Sequence, residues 1–253
     1  MTAAVAYRPD ITEIDRLDMR IDRGPCGFAE ESRAAIEAHF TERVLRQPSI
    51  WNGRVLVLAS HGLEAGALTG RYVETDYAAL LWLLGTEPPH PLARNGFAMG
   101  ALRGADGGFV LARMAPWTAN AGRIYFAAGT PDPDDVTPDG RVDLEASVWR
   151  ELHEETGLSP RDATPAPGWT LLRDERRVAL LRQIISPDSA EDVARRIRAH
   201  IHAQERSEID AVIIARGPDD ICAGMPPFIR AYLAHVWGSM SGGKAKSPRD
   251  FSD

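Results

Sequence analysis

The spacing of apolar positions changes repeatedly along the first third of the chain and predicts a small α+β unit. Apolar residues recur at helical intervals in residues 29–46 and 75–84, which predicts two helices there. Between them, residues 54–59 alternate between apolar and polar after an Asn-Gly turn signal, which predicts a strand that pairs with residues 66–73. Residues 11–21 follow neither period and predict no single element.

A proline-rich break at residues 88–91 separates this pattern from a second one. We predict an N-terminal α+β part over residues 1–92, a larger domain over residues 93–240, and a disordered tail over residues 241–253. The second pattern predicts helices at residues 144–156, 190–203 and 226–237, and strands at residues 97–103, 108–114, 124–127, 169–173, 177–185 and 209–215.

Composition and charge narrow the classes of function. The apolar content of 44% is that of a globular protein, and the formal net charge of −7 argues against nucleic-acid binding, which needs many Lys and Arg contacts to phosphate. The longest apolar run, residues 78–84, is too short to span a membrane, and the first residues lack the features of a signal peptide. Two distant cysteines suit a reducing compartment, so we expect a cytoplasmic protein, and a homo-oligomer is compatible with this.

The most sharply defined element is the helix over residues 144–156. Asp143 has the position and chemistry of an N-cap, and Gly157 is expected to end the helix in the left-handed conformation. A stripe of apolar residues at every fourth position predicts its buried face, namely Leu144, Val148 and Leu152.

Three glutamates share one face of this helix. Glu151, Glu154 and Glu155 stand at positions i, i+3 and i+4, where their carboxylates repel one another unless a cation lies among them. Clustered carboxylate oxygens suit Mg²⁺ or Mn²⁺, and such an ion can bridge phosphate oxygens and acidify a bound water. The simpler alternative is an acidic helix face exposed to solvent.

The stretch from Arg150 to Leu158 resembles the second half of the Nudix box, G-x5-E-x7-R-E-U-x-E-E-x-G-U with U aliphatic, and matches every fixed position there. The glycine that opens the box corresponds to Gly129, and the segment from it to Leu158 is seven residues longer than the pattern. Counted back from Arg150, the early glutamate position holds Val142, so Asp143 or Glu145 would have to replace it. The extra residues, around 131–140, are rich in Pro and Asp, which predicts a surface loop near the metal site.

The resemblance implies a Nudix α/β/α sandwich with a mixed sheet and hydrolysis of a nucleoside diphosphate linked to another moiety. Glu151, Glu154 and Glu155 would bind Mg²⁺ or Mn²⁺ together with the Gly129 carbonyl, next to the box Arg150. Either Glu151 or Glu208 would take the proton of the attacking water. A nucleotide sensor that binds without cleaving is the rival interpretation; the complete set of box acids disfavours it, and the missing early glutamate favours it.

Substrate recognition is expected outside the metal site, since the diphosphate is common to all candidate substrates. Arg113 and Arg123 are candidate phosphate contacts, and Trp117 is a candidate stacking partner for a base, although exposed strand charges and a core aromatic are the simpler interpretations. The N-terminal part loosely resembles the one that precedes the Nudix domain of UDP-glucose/UDP-galactose diphosphatases, which makes a UDP-sugar the first candidate. ADP-ribose, NADH, coenzyme A and dinucleoside polyphosphates are the alternatives. We predict that this part packs on the Nudix domain and borders the cleft, which Arg113 and Trp117 would line.

Overall fold

The computed structural model describes residues 7–242, which form two β-sheets and their flanking helices. The polar/apolar pattern of the first part resolves into four strands and three helices. These are β1 (Asp10–Ile14), β2 (Arg16–Asp22), α1 (Gly27–Glu31), α2 (Arg33–Arg46), β3 (Arg54–Glu64), β4 (Ala67–Asp76) and α3 (Tyr77–Gly85).

The smaller sheet has the order β2-β4-β3, with β2 parallel and β3 antiparallel to the central strand. Helices α2 and α3 pack on one of its faces, where Ile36 and Ala79 are fully buried. Asp76 caps the N-terminus of α3, because its carboxylate accepts a hydrogen bond of 2.8 Å from the Ala79 amide. Leu45, an apolar residue near the end of α2, is 78% exposed.

The second part supplies most of the larger sheet and three helices. Its elements are β5 (Asn95–Arg103), β6 (Phe109–Met114), β7 (Ile124–Tyr125), α4 (Leu144–Thr156), β8 (Thr164–Pro165), β9 (Trp169–Arg173), β10 (Arg177–Ile185), α5 (Ala190–Ala203), β11 (Ile209–Ala215) and α6 (Pro227–Gly242). The predicted bounds of β9, β10 and β11 agree with the structure residue for residue.

The larger sheet is mixed and has the order β1-β9-β10-β5-β6-β11, with β7 beside β6 and β8 beside β10. Strand β10 runs parallel to β5 over its whole length, whereas the other pairs are antiparallel. Strands β5 and β6 are consecutive and antiparallel, and they pair only beside the turn that joins them, at Arg103 and Phe109. Strand β1 comes from the first part and pairs with β9 over five residues, so the sheet crosses the division that we predicted near residue 92.

Helices cover both faces of the larger sheet, which confirms the predicted α/β/α sandwich with a mixed sheet. On one face α4 and α5 bury side chains such as Leu152 and Ile197, and on the other α6 buries Tyr232 and Leu233. The inner face of the smaller sheet joins the core beneath α4 through Leu56, Leu58, Leu68 and Tyr72, all completely buried.

The last helix is longer than its pattern predicted. Helix α6 continues to Gly242, so the first two residues of the predicted tail, 241–253, are helical, and the others lie outside the described residues. Within residues 7–242, no helix has the length and apolar character that crossing a bilayer requires.

Candidate functional site

Helix α4 holds the three glutamates in fixed positions because both of its ends are capped. The Asp143 carboxylate accepts a hydrogen bond of 3.1 Å from the Ala146 amide, and Gly157 adopts a φ of +73° while its amide donates to the His153 carbonyl. Leu144, Val148 and Leu152 are buried against the sheet, as predicted. The opposite face of the helix therefore carries the acids towards the loop that follows β7.

That loop approaches α4 so closely at Gly129 that only glycine fits. A Cβ atom on residue 129 would lie 2.1 Å from Glu151 Oε1 and 2.7 Å from Oε2. The backbone of Gly129 is not in the left-handed region, so the requirement for glycine comes from the carboxylate above it rather than from φ. The pairing of Gly129 with Glu151 was expected from the resemblance, and the structure supplies its steric reason.

Three carboxylates line a single open cavity of about 360 Å³. Glu151 and Glu155 enter it from α4, and Glu208 enters from the residue just before β11. Glu154 lies beside this cavity rather than in its lining, and its side chain is 60% exposed. The structure thus brings Glu208 to the acids of the helix, whereas Glu154 is the most peripheral of the group.

Burial and mutual repulsion raise the pKa values of these acids. Burial raises the pKa of Glu151 to about 7, against the opposing effect of Arg150 and with a further increase from Glu154. Burial also raises the pKa of Glu155 well above its usual value, and the Glu151 and Glu208 carboxylates add to this shift. Burial also raises the pKa of Glu208, and the negative charge of Glu154 adds to this shift. These shifts favour the protonated carboxyl groups, whereas a bound cation would favour the ionised carboxylates.

Arg150 holds Glu151 in place rather than Glu154. Its Nη1 donates to Glu151 Oε1 at 2.6 Å, but lies 3.8 Å from Glu154 Oε2. Its Nη2 donates to both carboxylate oxygens of Asp135, at 3.1 and 3.2 Å, and the Ser147 hydroxyl donates to the same carboxylate at 3.0 Å. The guanidinium therefore joins the loop before the helix to the first glutamate of the box.

Asp135, rather than Asp143 or Glu145, stands at the early acid position of the box when that position is counted forward from Gly129. Val142 is buried in the apolar core, Asp143 caps the helix, and Glu145 pairs with Arg182 at 2.6 Å. Five residues, 130–134, separate Gly129 from Asp135, which is the spacing of the box pattern. Counting forward from the glycine would have found this residue, because the extra residues follow it instead of preceding it.

The extra residues form a loop and leave the helix intact, as predicted. A 3₁₀ turn, Pro133–Asp135, opens the loop, and the Asp132 carboxylate caps it. The loop then attaches to β2, where the Ile21 amide donates to Gly140 and the Val142 amide donates to Met19. Asp135 is the exception to the surface location, since it is only 5% exposed.

The three candidate substrate residues have different surroundings. Trp117 lines the acidic cavity, with the Arg206 guanidinium 4.0 Å from its ring centroid and its carbonyl bound by the side chains of Gln47 and Ser49. Arg123 lines a second cavity of about 650 Å³. Arg113 pairs with Asp210 at 2.7 Å and is not among the described residues that line these two cavities, so its contact with the substrate stays a prediction.

The second cavity adjoins the acidic one and lies between the two parts of the chain. The two cavities share lining residues that include Gly129, Tyr77 and Tyr125. The first part contributes polar residues that the sequence did not single out, His39 and Arg43 of α2, together with the apolar residues of α3. No periodicity or motif distinguishes these two from other exposed residues of an amphipathic helix.

The chemistry of the acidic cavity fits a hard divalent cation that arrives with its ligand. Within residues 7–242, no three His, Cys, Asp or Glu side chains are arranged to hold a metal ion by themselves. Mg²⁺, however, is commonly bound by one or two carboxylates with waters and substrate phosphates completing its shell. Glu155 Oε2 is buried and has no hydrogen-bond partner among these described residues, so a cation or its water would satisfy it.

Comparisons with known proteins find similar chains among solved structures only. No protein-family model matches the chain, and no curated protein matches it. The chain is similar to RenU, a Nudix hydrolase from M. smegmatis, with 12% identity and a TM-score of 0.38 over 61% of this chain and 88% of that one. It is also similar to a MutT protein from Methanosarcina mazei Go1, with 15% identity and a TM-score of 0.35 over 58% and 96% of the two chains. Both TM-scores are below 0.5, so the function has to be inferred from the chain's own residues.

Proposed function

We propose that this protein is a Nudix-type hydrolase that uses Mg²⁺ or Mn²⁺ to cleave the diphosphate linkage of a nucleoside diphosphate derivative. The observation that carries the proposal is the meeting of Glu151, Glu155 and Glu208 in one open cavity beside Gly129. These residues come from three separate segments, so their convergence is not explained by an exposed acidic helix face. The box resemblance implies metal binding by Glu151 and Glu155, together with Glu154 and the Gly129 carbonyl, and it implies the role of a base for Glu151 or Glu208.

The proposed reaction breaks one bridging P–O bond and adds water across it, giving two phosphomonoesters. Glu151, Glu155 and the Gly129 carbonyl would hold the cation, which when bound would neutralise the diphosphate and acidify a water. Glu151 or Glu208 accepts the proton of the attacking water, since both carboxylates line the acidic cavity. Arg150, itself fixed by Asp135, keeps the Glu151 carboxylate oriented during this transfer.

Catalysis is favoured over a nucleotide sensor that only binds. The one feature that favoured the sensor was the missing early acid of the box. Asp135 supplies that acid and pairs with Arg150. The set of charged groups expected of the enzyme is therefore complete within the described residues.

The proposed setting is the cytoplasm, with a small nucleotide as ligand. Cys26 and Cys222 are both free, as expected in a reducing compartment. The negative formal charge of −7 again disfavours a nucleic-acid partner.

The test is a panel of nucleoside diphosphate derivatives, beginning with UDP-sugars and continuing with ADP-ribose, NADH and coenzyme A. Each is incubated with protein and Mg²⁺, and the phosphomonoester products are converted to inorganic phosphate by an added phosphatase. We expect phosphate release with at least one substrate and its loss in EDTA. Release that persists in excess EDTA, with no metal found by elemental analysis, would rule out the metal-dependent reaction. Binding of substrates without any release would support the sensor.

A further inference from the structure

The two adjoining cavities have opposite electrostatic character. The acidic cavity contains Glu151, Glu155 and Glu208, and no Lys or Arg is among its described lining residues. The larger cavity has the reverse composition: its described lining includes three arginines and one histidine but neither Asp nor Glu. The chain as a whole has a formal net charge of −7, yet its charges are separated between the two cavities. The acidic cavity therefore favours a cation, and the larger cavity favours an anion.

Two of these arginines lack a counter-ion. Arg177 lies 3.5 Å from Asp174, but within residues 7–242 no carboxylate lies within ion-pairing distance of Arg43 or Arg123. Arg43 is partly buried on α2, whereas Arg123 precedes β7, so the two parts of the chain each contribute one free guanidinium. A guanidinium presents several donors in a plane that matches phosphate and carboxylate groups.

Other groups in the larger cavity also lack partners. His39 Nδ1 and Asn95 Oδ1 are buried without a hydrogen-bond partner in the described structure, although both residues line the cavity. A buried polar atom without a partner is unfavourable, and a bound ligand would supply the missing hydrogen bond. Beside them, Phe97 and Phe228 pack edge to face at 5.7 Å and give the cavity an apolar wall for a ring.

We propose that the larger cavity binds the moiety attached to the diphosphate, and that this moiety carries its own phosphomonoester or carboxylate, which Arg43 and Arg123 bind. The inference rests on the proposed function, because it assigns the diphosphate to the acidic cavity and its cation. The charge of the diphosphate is then compensated there, and the free arginines remain for a further anion. A volume of about 650 Å³ is sufficient for a nucleoside or a sugar with one such group.

Matched ligand pairs test this preference without requiring turnover. Coenzyme A is compared with 3′-dephospho-coenzyme A, and UDP-glucuronate with UDP-glucose, by titration calorimetry on the full chain with Ca²⁺, a hard cation that can occupy the acidic cavity in place of Mg²⁺. The first pair differs by a phosphomonoester and the second by a carboxylate. We expect the charged member of at least one pair to bind about ten-fold more tightly, and we expect added NaCl to reduce that ratio.

Variants of helix α2 assign the effect to Arg43. Arg43→Gln should reduce the charged-to-neutral ratio to about three-fold or less, and Arg43→Lys should retain part of it. Arg46→Gln is the matched control, because Arg46 lies three residues further along the same helix, with its side chain 76% exposed and outside both cavities. This variant should keep the full ratio.

Several results would overturn the inference. Equal dissociation constants within both pairs, a ratio insensitive to NaCl, or an Arg43→Gln protein with the full ratio would each do so. Failure of all four ligands to bind at millimolar concentration would also overturn it. If the ratio is present but no derivative is hydrolysed with Mg²⁺, the anion site stands and the proposed hydrolytic function fails.

Discussion

At Gly129 the space that a side chain would need is occupied by the Glu151 carboxylate. In a Gly129→Ala protein the new Cβ would lie 2.1 Å from Oε1, so the carboxylate must move out of the acidic cavity. The backbone at this position is acceptable for alanine, and we therefore expect a folded protein whose kcat is lower by about 100-fold or more. Steady-state kinetics on a substrate found in the panel, with circular dichroism as a check of folding, measures this.

The matched control is Gly217→Ala. Gly217 has an extended backbone and nothing within 4 Å of the position of a Cβ, so this substitution should leave kcat and the melting temperature as they are. Wild-type activity in Gly129→Ala would show that the close approach of Gly129 and Glu151 has no part in the reaction.

The raised pKa of Glu151 predicts how stability depends on pH when no metal is present. The folded protein retains this proton up to a pKa of about 7, whereas the unfolded chain loses it near the ordinary value of 4.5. The wild-type protein should therefore lose stability as the pH rises from about 4.5 to 7, by at most roughly 3 kcal/mol from this group. The glutamine of a Glu151→Gln protein does not titrate, so this variant should not lose stability in the same way. In EDTA it should melt several degrees higher than wild type at pH 8 and at a similar temperature near pH 4.5.

Thermal melts of the wild-type and Glu151→Gln proteins across this pH range measure the difference in melting temperature. Added Mg²⁺ should narrow the gap at pH 8, because a cation stabilises the ionised carboxylates of the wild type. A Glu151→Gln protein that melts below wild type at pH 8 in EDTA would mean that Arg150 compensates the ionised Glu151 fully.

At the scale of elements, the loop before α4 is tied to the helix by one buried ion pair. Asp135 is almost fully buried, so Arg150→Met would leave a buried carboxylate without its cation and should destabilise the protein by roughly 3–5 kcal/mol. Asp135→Asn should cost less, because Arg150 keeps Glu151 as a partner. The double variant should be more stable than the sum of the single effects predicts, with a coupling of roughly 1–3 kcal/mol.

Urea unfolding of the four proteins measures this coupling. The control cycle uses Arg198 and Glu191, an exposed pair on α5 at 2.9 Å, which should couple by less than about 1 kcal/mol. Additive effects of the Asp135 and Arg150 substitutions would show that the loop does not depend on the pair for its position.

What could be predicted from the sequence differs between elements for physical reasons. Strands β9, β10 and β11 were predicted at their exact bounds, because apolar side chains mark them and turn residues end them. Strands β1 and β2 were not predicted from the sequence, because each is exposed along much of its length and its apolar residues follow no clear period. Asp135 was missed because pairing across a loop of variable length leaves no periodic signal; only its spacing from Gly129 identifies it.

The same limit applies to the candidate site. Acids on one helix share a face by geometry, so Glu151 and Glu155 could be grouped from their spacing alone. The assignment of Glu208 followed from the family resemblance, and the structure brings it into the same cavity. Arg43 lies in a different part of the chain, and only the packing of that part on the larger sheet places it near Arg123.

At the scale of the whole molecule, the first part completes the second one. Strand β1 forms the edge of the larger sheet beside β9, and the smaller sheet closes the core beneath α4. The contact is close: a Cβ at Gly96 would lie 2.8 Å from Leu58 Cβ and 2.7 Å from the Tyr72 hydroxyl. Cleft and core are therefore both built from the two parts together.

This packing predicts the behaviour of residues 93–242 expressed alone. The fragment would expose the β9 edge and the core surface that Leu56, Leu58 and Tyr72 cover. Each such side chain contributes roughly 1.5–3 kcal/mol, and their sum is comparable with the 5–15 kcal/mol that stabilises a typical domain. We expect the fragment to aggregate or to unfold without cooperativity, and co-expression with residues 1–92 as a separate chain to restore a soluble complex with the activity of the intact protein. A monomeric 93–242 fragment with a cooperative melt and the intact protein's KM would show instead that the first part is dispensable for both folding and recognition.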